Sequence, residues 1–333
     1  MISPGSTALV DSYGRTVRDL RISVTDRCNF RCTYCMPAEG LQWLDRAELL
    51  TYEEIERIAR ICVERFGFES FRLTGGEPLL RRNLEDLVGR LAALGADLAI
   101  TTNGTGLVSH AASLRQAGLR RVNVSCDSLK RERFEQLTRR DELDKTLQGI
   151  DAALAAGFDP VKVNVVVIRG VNDDEIVDFA EFGRAKGLDI RFIEYMPLDA
   201  DGTWSGAAVV PSTEVVAAIA EKFPLVRDYP DGDPTPAHRW RYADGRGTVG
   251  VIASVTEPFC GDCDRIRITS DGQLRTCLFS LEETDLRGLM REGGSDDQLA
   301  EAIATAVAGK WAGHKIGQVN FLRPRRSMSQ IGG

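Results

Sequence analysis

Six short apolar segments alternate with helical patterns between Leu20 and Glu194, and this alternation constrains the fold more than any other feature of the sequence. The predicted strands are Leu20–Val24, Ser70–Thr74, Leu98–Thr102, Arg121–Ser125, Val161–Ile168 and Ile190–Glu194. The predicted helices are Thr51–Phe66, Asn83–Leu94, Val108–Ala117, Leu143–Ala156 and Glu175–Lys186. Repeated β/α units predict an α/β fold with a parallel sheet, which is either doubly wound or curled towards a barrel.

The pattern changes after about residue 225. Residues 227–244 are rich in Pro, Gly and Asp and are predicted to form a loop or linker. Further on we predict a strand at 248–255, a β-hairpin at 265–278 that turns at Asp271-Gly272, and a last helix at 297–309. The sequence therefore divides into a flexible N-terminal segment (1–14), a barrel region (15–225), a C-terminal extension (226–326) and a flexible tail (327–333).

Polar or glycine-rich motifs follow five of the predicted strands. They are Thr25–Cys28, Thr74–Pro78, Thr101–Gly104, Ser125–Ser128 and Glu194–Pro197. In β/α barrels the C-terminal ends of the strands carry the active site, so we expect all five motifs to face one pocket. Turns between strands and helices use Gly, Asn and Asp in any case. The argument therefore depends on the five motifs together, not on any one of them.

Cys28, Cys32 and Cys35 lie in the run TDRCNFRCTYCMP after the first predicted strand. Three thiols form an incomplete ligand set, whereas a structural zinc site normally takes four ligands and is closed. Three thiolates on an iron–sulfur cube leave one iron open to bind something else. This loop therefore indicates chemistry at a cluster.

Cys260, Cys263 and Cys277 form a second triad, which the predicted hairpin brings together. It is interpreted as a second cluster with an open iron and is expected to face the first triad across the barrel mouth. The alternative is a zinc site with His238 or His314 as the fourth ligand. The last two of the eight cysteines, Cys62 and Cys126, are predicted to pack in the core.

The composition limits the partners of this chain. A net charge of −7 argues against a nucleic-acid surface, and an acidic protein that binds an anionic substrate must gather Arg and Lys locally. No apolar run reaches the length needed to span a bilayer, and no secretory signal is visible, so a cytoplasmic location is expected. With only three histidines, a hydrolase that depends on histidine is disfavoured.

The first triad, with Tyr34 before its last cysteine and Gly75-Gly76-Glu77-Pro78 after the second strand, resembles the radical S-adenosylmethionine (SAM) enzymes. The runs CTYCMP, RLTGGEPLLR, TTNG, NVSCDSL, VKVNVV and RFIEYMP, the second triad and the terminal Gly-Gly resemble the GTP 3′,8-cyclases of molybdenum cofactor biosynthesis. The resemblance covers residues 15–333. Asp264 stands where that family usually has Asn, and Cys126 stands where an aliphatic residue is more common.

The resemblance implies a partial (βα)6 TIM-type barrel with a C-terminal extension that carries a second iron–sulfur cluster. Cys28, Cys32 and Cys35 would hold a 4Fe–4S cluster that chelates SAM, and the second triad would hold a 4Fe–4S cluster that binds the guanine of GTP. The implied SAM contacts are Tyr34, Gly76, Ser125 and Met196. The implied GTP contacts are Arg21, Arg72, Thr101, Lys162, Arg265, Ile266 and Arg267. The implied catalytic residues are Gly332, Gly333, Arg265 and Arg267.

The implied reaction begins with reductive cleavage of SAM to a 5′-deoxyadenosyl radical, which removes hydrogen from ribose C3′ of GTP. A bond then forms between C3′ and C8, giving (8S)-3′,8-cyclo-7,8-dihydroguanosine 5′-triphosphate in the first step of molybdopterin biosynthesis. The implied partners are an electron donor such as flavodoxin or ferredoxin, the downstream cyclic pyranopterin monophosphate synthase and a second copy of the chain. The alternatives are a peptide-modifying radical SAM enzyme with an auxiliary cluster and a non-catalytic zinc-binding module.

Overall fold

A computed structural model describes residues 7–199, 201–229 and 235–332, and these form one twelve-stranded sheet with ten α-helices. The first six strands are β1 (Asp19–Ser23), β2 (Ser70–Thr74), β3 (Asp97–Thr102), β4 (Arg121–Ser125), β5 (Val161–Val167) and β6 (Asp189–Glu194). The others are β7 (Leu225–Arg227), β8 (His238–Tyr242), β9 (Thr248–Ile252), β10 (Arg265–Ile268), β11 (Gln273–Arg275) and β12 (Thr284–Asp285).

The helices follow the strands along the chain and begin after β1. They are α1 (Tyr52–Phe66), α2 (Leu84–Ala92), α3 (Leu107–Gln116), α4 (Arg131–Thr138), α5 (Leu143–Ala155), α6 (Ile176–Lys186), α7 (Ser212–Lys222), α8 (Leu286–Arg291), α9 (Asp296–Ala308) and α10 (Met328–Ile331). No helix in these described ranges is long and apolar enough to cross a membrane.

The strand order is β12-β11-β10-β1-β2-β3-β4-β5-β6-β9-β8-β7. The six strands from β1 to β6 pair in parallel with their neighbours, as the sequence predicts. The C-terminal extension adds β10 in parallel beside β1 and β9 in parallel beside β6. The predicted α/β fold is thus confirmed, but eight parallel strands, not six, line its interior, because the extension continues both edges of the sheet.

Local signals in the sequence explain why the β/α units form. Thr51 caps α1 in a capping box with Glu54, and Gly67 ends that helix in the left-handed conformation at φ 70°. The apolar faces of the strands pack against the surrounding helices, and Phe179 meets Phe192 edge-on with ring centroids 6.4 Å apart. Full burial of such a side chain contributes about 1.5–3 kcal/mol. Because the core lies outside the curved sheet, the inner face is left to polar side chains.

Several elements differ from the prediction, among them β8, α4 and α7. The segment 227–244 is not simply a linker, because β8 occupies His238–Tyr242 and pairs antiparallel with β9. The Pro, Gly and Asp residues that flank this strand concealed it in the sequence. Residues 230–234 of the segment lie outside the described residues. Helix α4 was missed because half of its sequence RERFEQLT is charged and its apolar anchors are only Phe134 and Leu137. Helix α7 was missed between β6 and the extension.

Both ends of the described chain are packed, although the sequence predicted flexible segments there. Leu9 is buried, and Val10 forms an antiparallel bridge with Thr16. In the tail, α10 begins at a capping box on Ser327, and Ile331 is fully buried. Apolar side chains and backbone hydrogen bonds hold both segments against the barrel, and their flexibility stays a prediction.

Candidate active site

The inner face of the sheet encloses a cavity of about 850 Å³. All six triad cysteines line it, and so do residues from each of the five motifs that follow the strands. The predicted SAM and GTP residues line it too, except Ile266. Ile266 is buried in the apolar core because side chains alternate along β10 and its neighbours Arg265 and Arg267 take the inner face. The side chain of Ile266 therefore does not line the cavity, and its contact with GTP stays a prediction.

The first triad follows the C-terminal end of β1 in a turn where the Cys35 amide donates to the Cys32 carbonyl at 2.9 Å. Burial, and then the nearby Glu77 carboxylate, raises the pKa of Cys28 to about 11. Burial, and then the Cys28 thiol, raises the pKa of Cys35 to about 12. Burial, the carboxylate and the neighbouring thiol all oppose the thiolate form of these cysteines, so a positive charge is needed to stabilise their thiolates. An iron–sulfur cube supplies that charge, so this donor set fits a cluster.

Gly75 and Gly76 allow the loop after β2 to pack on the loop that carries the first triad. A Cβ at Gly76 would lie 2.3 Å from the Arg27 carbonyl oxygen, and one at Gly75 would lie 2.4 Å from that of Thr25. The Gly76 amide donates to the Thr25 carbonyl at 2.8 Å. The sequence explained these glycines by close approach of SAM, but contact with the chain's own backbone already requires them.

Glu77 fixes the next loop. Its buried carboxylate accepts hydrogen bonds from the Thr102 hydroxyl and the Asn103 amide, both at 2.7 Å, and from the Leu79 amide at 3.0 Å. Burial raises the pKa of Glu77. The carboxylate therefore ties the loop after β2 to the loop after β3, and sequence reasoning did not assign it this role.

Asp127 orients Tyr34, and sequence reasoning missed this contact as well. The Tyr34 hydroxyl donates to Asp127 Oδ2 at 2.6 Å, and the Val166 amide donates to Oδ1 at 2.8 Å. Burial raises the pKa of Asp127 to about 6. The position of Asp127 at the end of a strand, within the Ser125–Ser128 motif, was the available signal. Its carboxylate connects the first triad's loop to β4 and β5.

The second triad lies at the opposite end of the barrel from the first. Cys263 precedes β10 by two residues, and the amides of Arg18 and Asp19 at the start of β1 donate to the Asp264 carbonyl at 2.9 and 3.2 Å. The first triad instead follows the end of β1. The prediction that the triads face each other across the mouth is wrong, because β10 joins β1 in parallel and places its leading loop at the N-terminal ends of the strands.

The predicted hairpin of β10 and β11 is confirmed and returns Cys277 to the start of β10. Although burial opposes the shift, the Arg265 and Lys310 cations lower the pKa of Cys263. The sequence has Asp264 where the family usually has Asn, next to Cys263. The Asp264 carboxylate lies 3.6 Å from Arg265 Nε, and its backbone carbonyl, not its side chain, holds the strand β1.

Both histidines proposed for a zinc site have other partners. His314 Nε2 bonds the Ser254 carbonyl at 2.8 Å, and its Nδ1 accepts from the Ile316 amide at 3.3 Å. The His238 ring stacks on Tyr229 with centroids 4.6 Å apart. Within the described ranges no three His, Cys, Asp or Glu residues are grouped as one metal ion requires. A cube needs a wider spacing of its thiolates than a single zinc ion, which binds sulfur at about 2.3 Å.

Cations line the middle of the cavity. Arg267, Arg21 and Arg72 stand in register on the neighbouring strands β10, β1 and β2. Arg265 and Lys162 also line this region, and Thr101 is in register with Asn123 and Lys162 on β4 and β5. Sequence reasoning missed two further cations on the inner face, Arg121 and Arg191. Both stand near the start of a strand, where an arginine looks like a surface charge.

These cations are only partly neutralised by the chain. Arg21 and Arg191 lie 3.9 and 3.2 Å from aspartates on their own strands, and Arg121 pairs with Asp97. Arg72 and Lys162 form no ion pair with any described residue. Burial, and then the neighbouring arginines, lowers the pKa of Arg72 to about 9 and that of Lys162 to about 8. Buried charges require a partner, so the cavity is suited to an oligoanionic ligand.

The C-terminal tail reaches the ends of β1 and β2. Arg267 donates to the Gly332 carbonyl at 2.6 Å, and a Cβ at Gly332 (φ 83°) would lie 2.7 Å from the Thr74 hydroxyl. Ser329 donates from its amide and its hydroxyl towards the Cys35 thiol. The tail is thus a wall of the cavity beside the first triad. Gly333 lies outside the described residues.

Comparisons with known proteins agree with this geometry. Residues 22–183 match the Radical SAM superfamily, and residues 188–316 match Molybdenum Cofactor Synthesis C. A crystal structure of Streptococcus suis SuiB bound to S-adenosylmethionine shares the fold at a TM-score of 0.59 and 14% identity, over 87% of this chain and 69% of that one. Native anSMEcpe with bound AdoMet shares the fold at a TM-score of 0.56 and 16% identity, over 85% of this chain and 83% of that one.

The fold and the two cysteine triads together define a radical SAM protein with a molybdenum-cofactor-synthesis extension. GTP 3′,8-cyclase of Corynebacterium glutamicum is 50% identical over 99% of this chain and 90% of that protein. GTP 3′,8-cyclase of Streptomyces coelicolor is 48% identical over 99% of this chain and 97% of its own length. The chain belongs to the GTP 3′,8-cyclase family.

Proposed function

We propose that this chain catalyses the 3′,8-cyclisation of GTP with SAM and two 4Fe–4S clusters. The observation that carries the proposal is the cavity itself, which has one triad at each end and cations between them without full charge compensation. A ligand that bridges the triads must be elongated and strongly anionic. A purine nucleoside triphosphate has both properties, and family membership indicates GTP.

The residues Cys28, Cys32 and Cys35 would hold the first cluster. A cluster bound there would supply the one electron needed for reductive cleavage of SAM, the chemistry from which hydrogen removal at ribose C3′ would follow. The chain's own contribution is placement. Glu77 and Asp127 fix the loops around the triad through the hydrogen bonds to Asn103, Thr102 and Tyr34.

SAM would lie along the C-terminal ends of β2, β4 and β6. Gly76, Ser125 and Met196 line the cavity at those ends, and Tyr34 approaches from the triad loop. Asp127 holds the Tyr34 hydroxyl at 2.6 Å, which fixes the orientation of the ring. These four residues are proposed to bind and orient SAM so that its C5′ faces the middle of the cavity.

GTP would place its guanine at the second triad and its phosphates on the inner cations. The guanidinium groups of Arg21, Arg72, Arg265 and Arg267 and the ammonium of Lys162 are proposed to bind GTP, with Thr101 as a further hydrogen-bonding contact. Arginine binds phosphate in a bidentate manner, and each such charged hydrogen bond contributes about 1.5–3 kcal/mol. Ile266 lies between Arg265 and Arg267, and because its side chain is buried in the core, it would contact the guanine through its backbone.

The tail would complete the site. The Gly332 carbonyl accepts from Arg267 at the ends of β1 and β2, next to the proposed SAM site. We propose that Gly332 and Gly333 hold Arg267, and with it Arg265, in a productive position during turnover. No larger residue fits at Gly332, because its Cβ would collide with Thr74 and Ser23.

Two alternatives are less well supported. A peptide-modifying radical SAM enzyme would share the fold, but the resemblance to SuiB is limited to the fold at 14% identity. A non-catalytic zinc module would require a fourth ligand, and both nitrogens of His314 are engaged elsewhere. The electron donor (flavodoxin or ferredoxin), the downstream cyclic pyranopterin monophosphate synthase, a homodimer and a cytoplasmic location are retained as proposals.

The test is anaerobic. The purified chain is reconstituted with iron and sulfide, and SAM, GTP and dithionite are added. The proposal expects iron and sulfide for two clusters per chain, 5′-deoxyadenosine, and conversion of GTP to the 3′,8-cyclised product. Formation of 5′-deoxyadenosine with GTP unchanged would reject the cyclase while keeping the radical SAM class. Bound zinc in place of iron would reject both.

A further inference from the structure

Lys310 places a buried positive charge on the second triad. It follows α9, and its Nζ donates to Cys263 Sγ at 3.5 Å and to the Arg265 carbonyl at 2.5 Å. The residue is only 3% exposed. An ammonium in this position is removed from water and must be stabilised by the groups around it.

Lys310 forms no ion pair within the described part of the chain; the negative charge that stabilises it most is that of Cys263, and the Asp264 carboxylate acts on it from farther away. A buried ammonium with no opposite charge is strongly destabilising. The Cys263 thiolate is therefore its natural counter-charge. Donors to the other triad thiols are uncharged groups, such as the Phe279 amide 3.5 Å from Cys277 Sγ.

The segment that carries Lys310 is fixed against the triad. The Arg15 guanidinium donates to the carbonyls of Trp311 (2.6 Å), Ala312 (2.9 Å) and Cys260 (2.6 Å). A Cβ at Gly313 would lie 2.9 Å from that of Cys260, so the chain passes directly over this cysteine. The ammonium of Lys310 is thus held in place and is not a mobile surface charge.

The two triads differ in their surroundings. At the first triad the Glu77 carboxylate acts on Cys28 more strongly than the cations Arg31 and Arg140 do, and the Asp127 carboxylate acts on Cys32. Arg265 and Lys310 are the corresponding groups at Cys263. A nearby cation favours the addition of an electron to an iron–sulfur cluster, and a nearby carboxylate opposes it.

We propose that Lys310 is a positioning residue that neutralises the Cys263 ligand and makes the second cluster easier to reduce than the first. The inference rests on the proposed second cluster. The step is the addition of one electron from a one-electron reductant to the oxidised cluster, with no bond formed or broken. The consequence is that the low potential needed for SAM cleavage is confined to the first cluster.

The test is a redox titration of the reconstituted full-length chain, followed by electron paramagnetic resonance of each cluster. In Lys310→Met the ratio of reduced to oxidised second cluster at a fixed potential is expected to fall about tenfold, which is about 59 mV for one electron. The first cluster keeps its potential and serves as the folding control. Lys315→Met removes the same charge from an exposed position nearby and leaves both potentials unchanged.

A second variant separates charge from packing. Lys310→Arg keeps the charge, so the second cluster is expected to keep its wild-type reduction potential. If Lys310→Met loses the second cluster altogether, Lys310→Arg is expected to retain it. An unchanged second potential in Lys310→Met, or an equal fall or loss in both variants, overturns the inference. Absence of a second cluster or of GTP conversion in the wild-type chain would instead overturn the proposed function.

Discussion

At the scale of single residues, the cavity is defined by charges that the chain leaves uncompensated. Arg72 stands on β2 between Arg21 and the inner face of β3, and its Nε has no hydrogen-bond partner among the described residues. A guanidinium in such a place is costly without an anion. The cost is offset when a phosphate binds, so this residue is expected to contribute to substrate affinity more than to folding.

Arg72→Met is therefore expected to weaken GTP binding by about 1.5–3 kcal/mol, or roughly 10- to 150-fold, while the chain stays folded. Removing an uncompensated buried cation also leaves the free energy of unfolding unchanged or raises it. Anaerobic equilibrium binding of GTP and a thermal melt measure the two effects. Arg241→Met, at an exposed position on β8, is the matched control. Equal loss of affinity in both variants would contradict the role of Arg72.

Lys162 leads to a prediction about pH. Burial, and then the Arg191 cation, lowers its pKa to about 8 in the ligand-free chain. The ammonium is charged below that pH and neutral above it, so affinity for a triphosphate should fall as the pH rises through about 8. The dissociation constant of GTP, measured from pH 7 to 9, should rise in the wild type. Lys162→Arg stays charged and should flatten the profile; an identical rise in this variant would rule Lys162 out as the cause.

At the scale of elements, one arginine links the C-terminal tail to the hairpin of β10 and β11. Arg326 pairs with Asp271 (2.9 Å), in the turn between β10 and β11, and with Glu283 (2.7 Å) before β12. Ser327 then caps α10, whose Ile331 is buried and whose following Gly332 meets Arg267. Arg326 thus connects the second triad's hairpin to the segment beside the first triad.

Arg326→Ala is expected to release the tail without disturbing the barrel. Hydrogen exchange at residues 327–332 should speed up by about tenfold or more, which corresponds to about 1.4 kcal/mol of lost local stability. GTP conversion should fall, while iron content and SAM cleavage persist. Arg325→Ala, one residue away and exposed, is the matched control. Unchanged exchange in Arg326→Ala would show that α10 is held by apolar packing alone.

The sequence predicts some elements well for a physical reason. The strands β1 to β6 are short apolar runs bounded by glycine and by capped helices, so local pattern is enough to find them. It predicts β8 poorly, because the strand sequence HRWRY alternates half-buried and exposed residues between turn-forming segments. The end of the barrel at which the second triad lies depends on the parallel pairing of β10 with β1. No local pattern encodes that pairing, so the triad was placed wrongly.

At the scale of the whole molecule, the parallel sheet separates two functions. The loop after β1 builds the first triad at the C-terminal ends of the strands, and the loop before β10, together with Cys277 after β11, builds the second at the N-terminal ends. The inner cations lie between the two triads, and Arg326 connects the second triad's hairpin to the tail beside the first triad. Two clusters supported by different loops should assemble independently, and each should fail alone when its own ligands are removed.

Cysteine variants test this independence. Cys277→Ala is expected to lose about half of the bound iron, retain SAM cleavage by the first cluster and lose GTP conversion. Cys32→Ala should also lose about half of the iron, but with it both SAM cleavage and GTP conversion, because one open cluster is needed to cleave SAM. Cys62→Ala, a core cysteine in α1 outside the cavity, should lose some stability and no iron.

The measurements are iron and sulfide per chain, 5′-deoxyadenosine and the GTP product from the same anaerobic sample. Loss of all iron in Cys277→Ala would mean that the second triad's loop supports the first triad, against the separation of the two loops. Loss of SAM cleavage in Cys277→Ala with the first cluster intact would mean that the clusters act as one redox unit. Only the pattern in which SAM cleavage survives and cyclisation stops agrees with a barrel that produces the radical at one end and holds its target at the other.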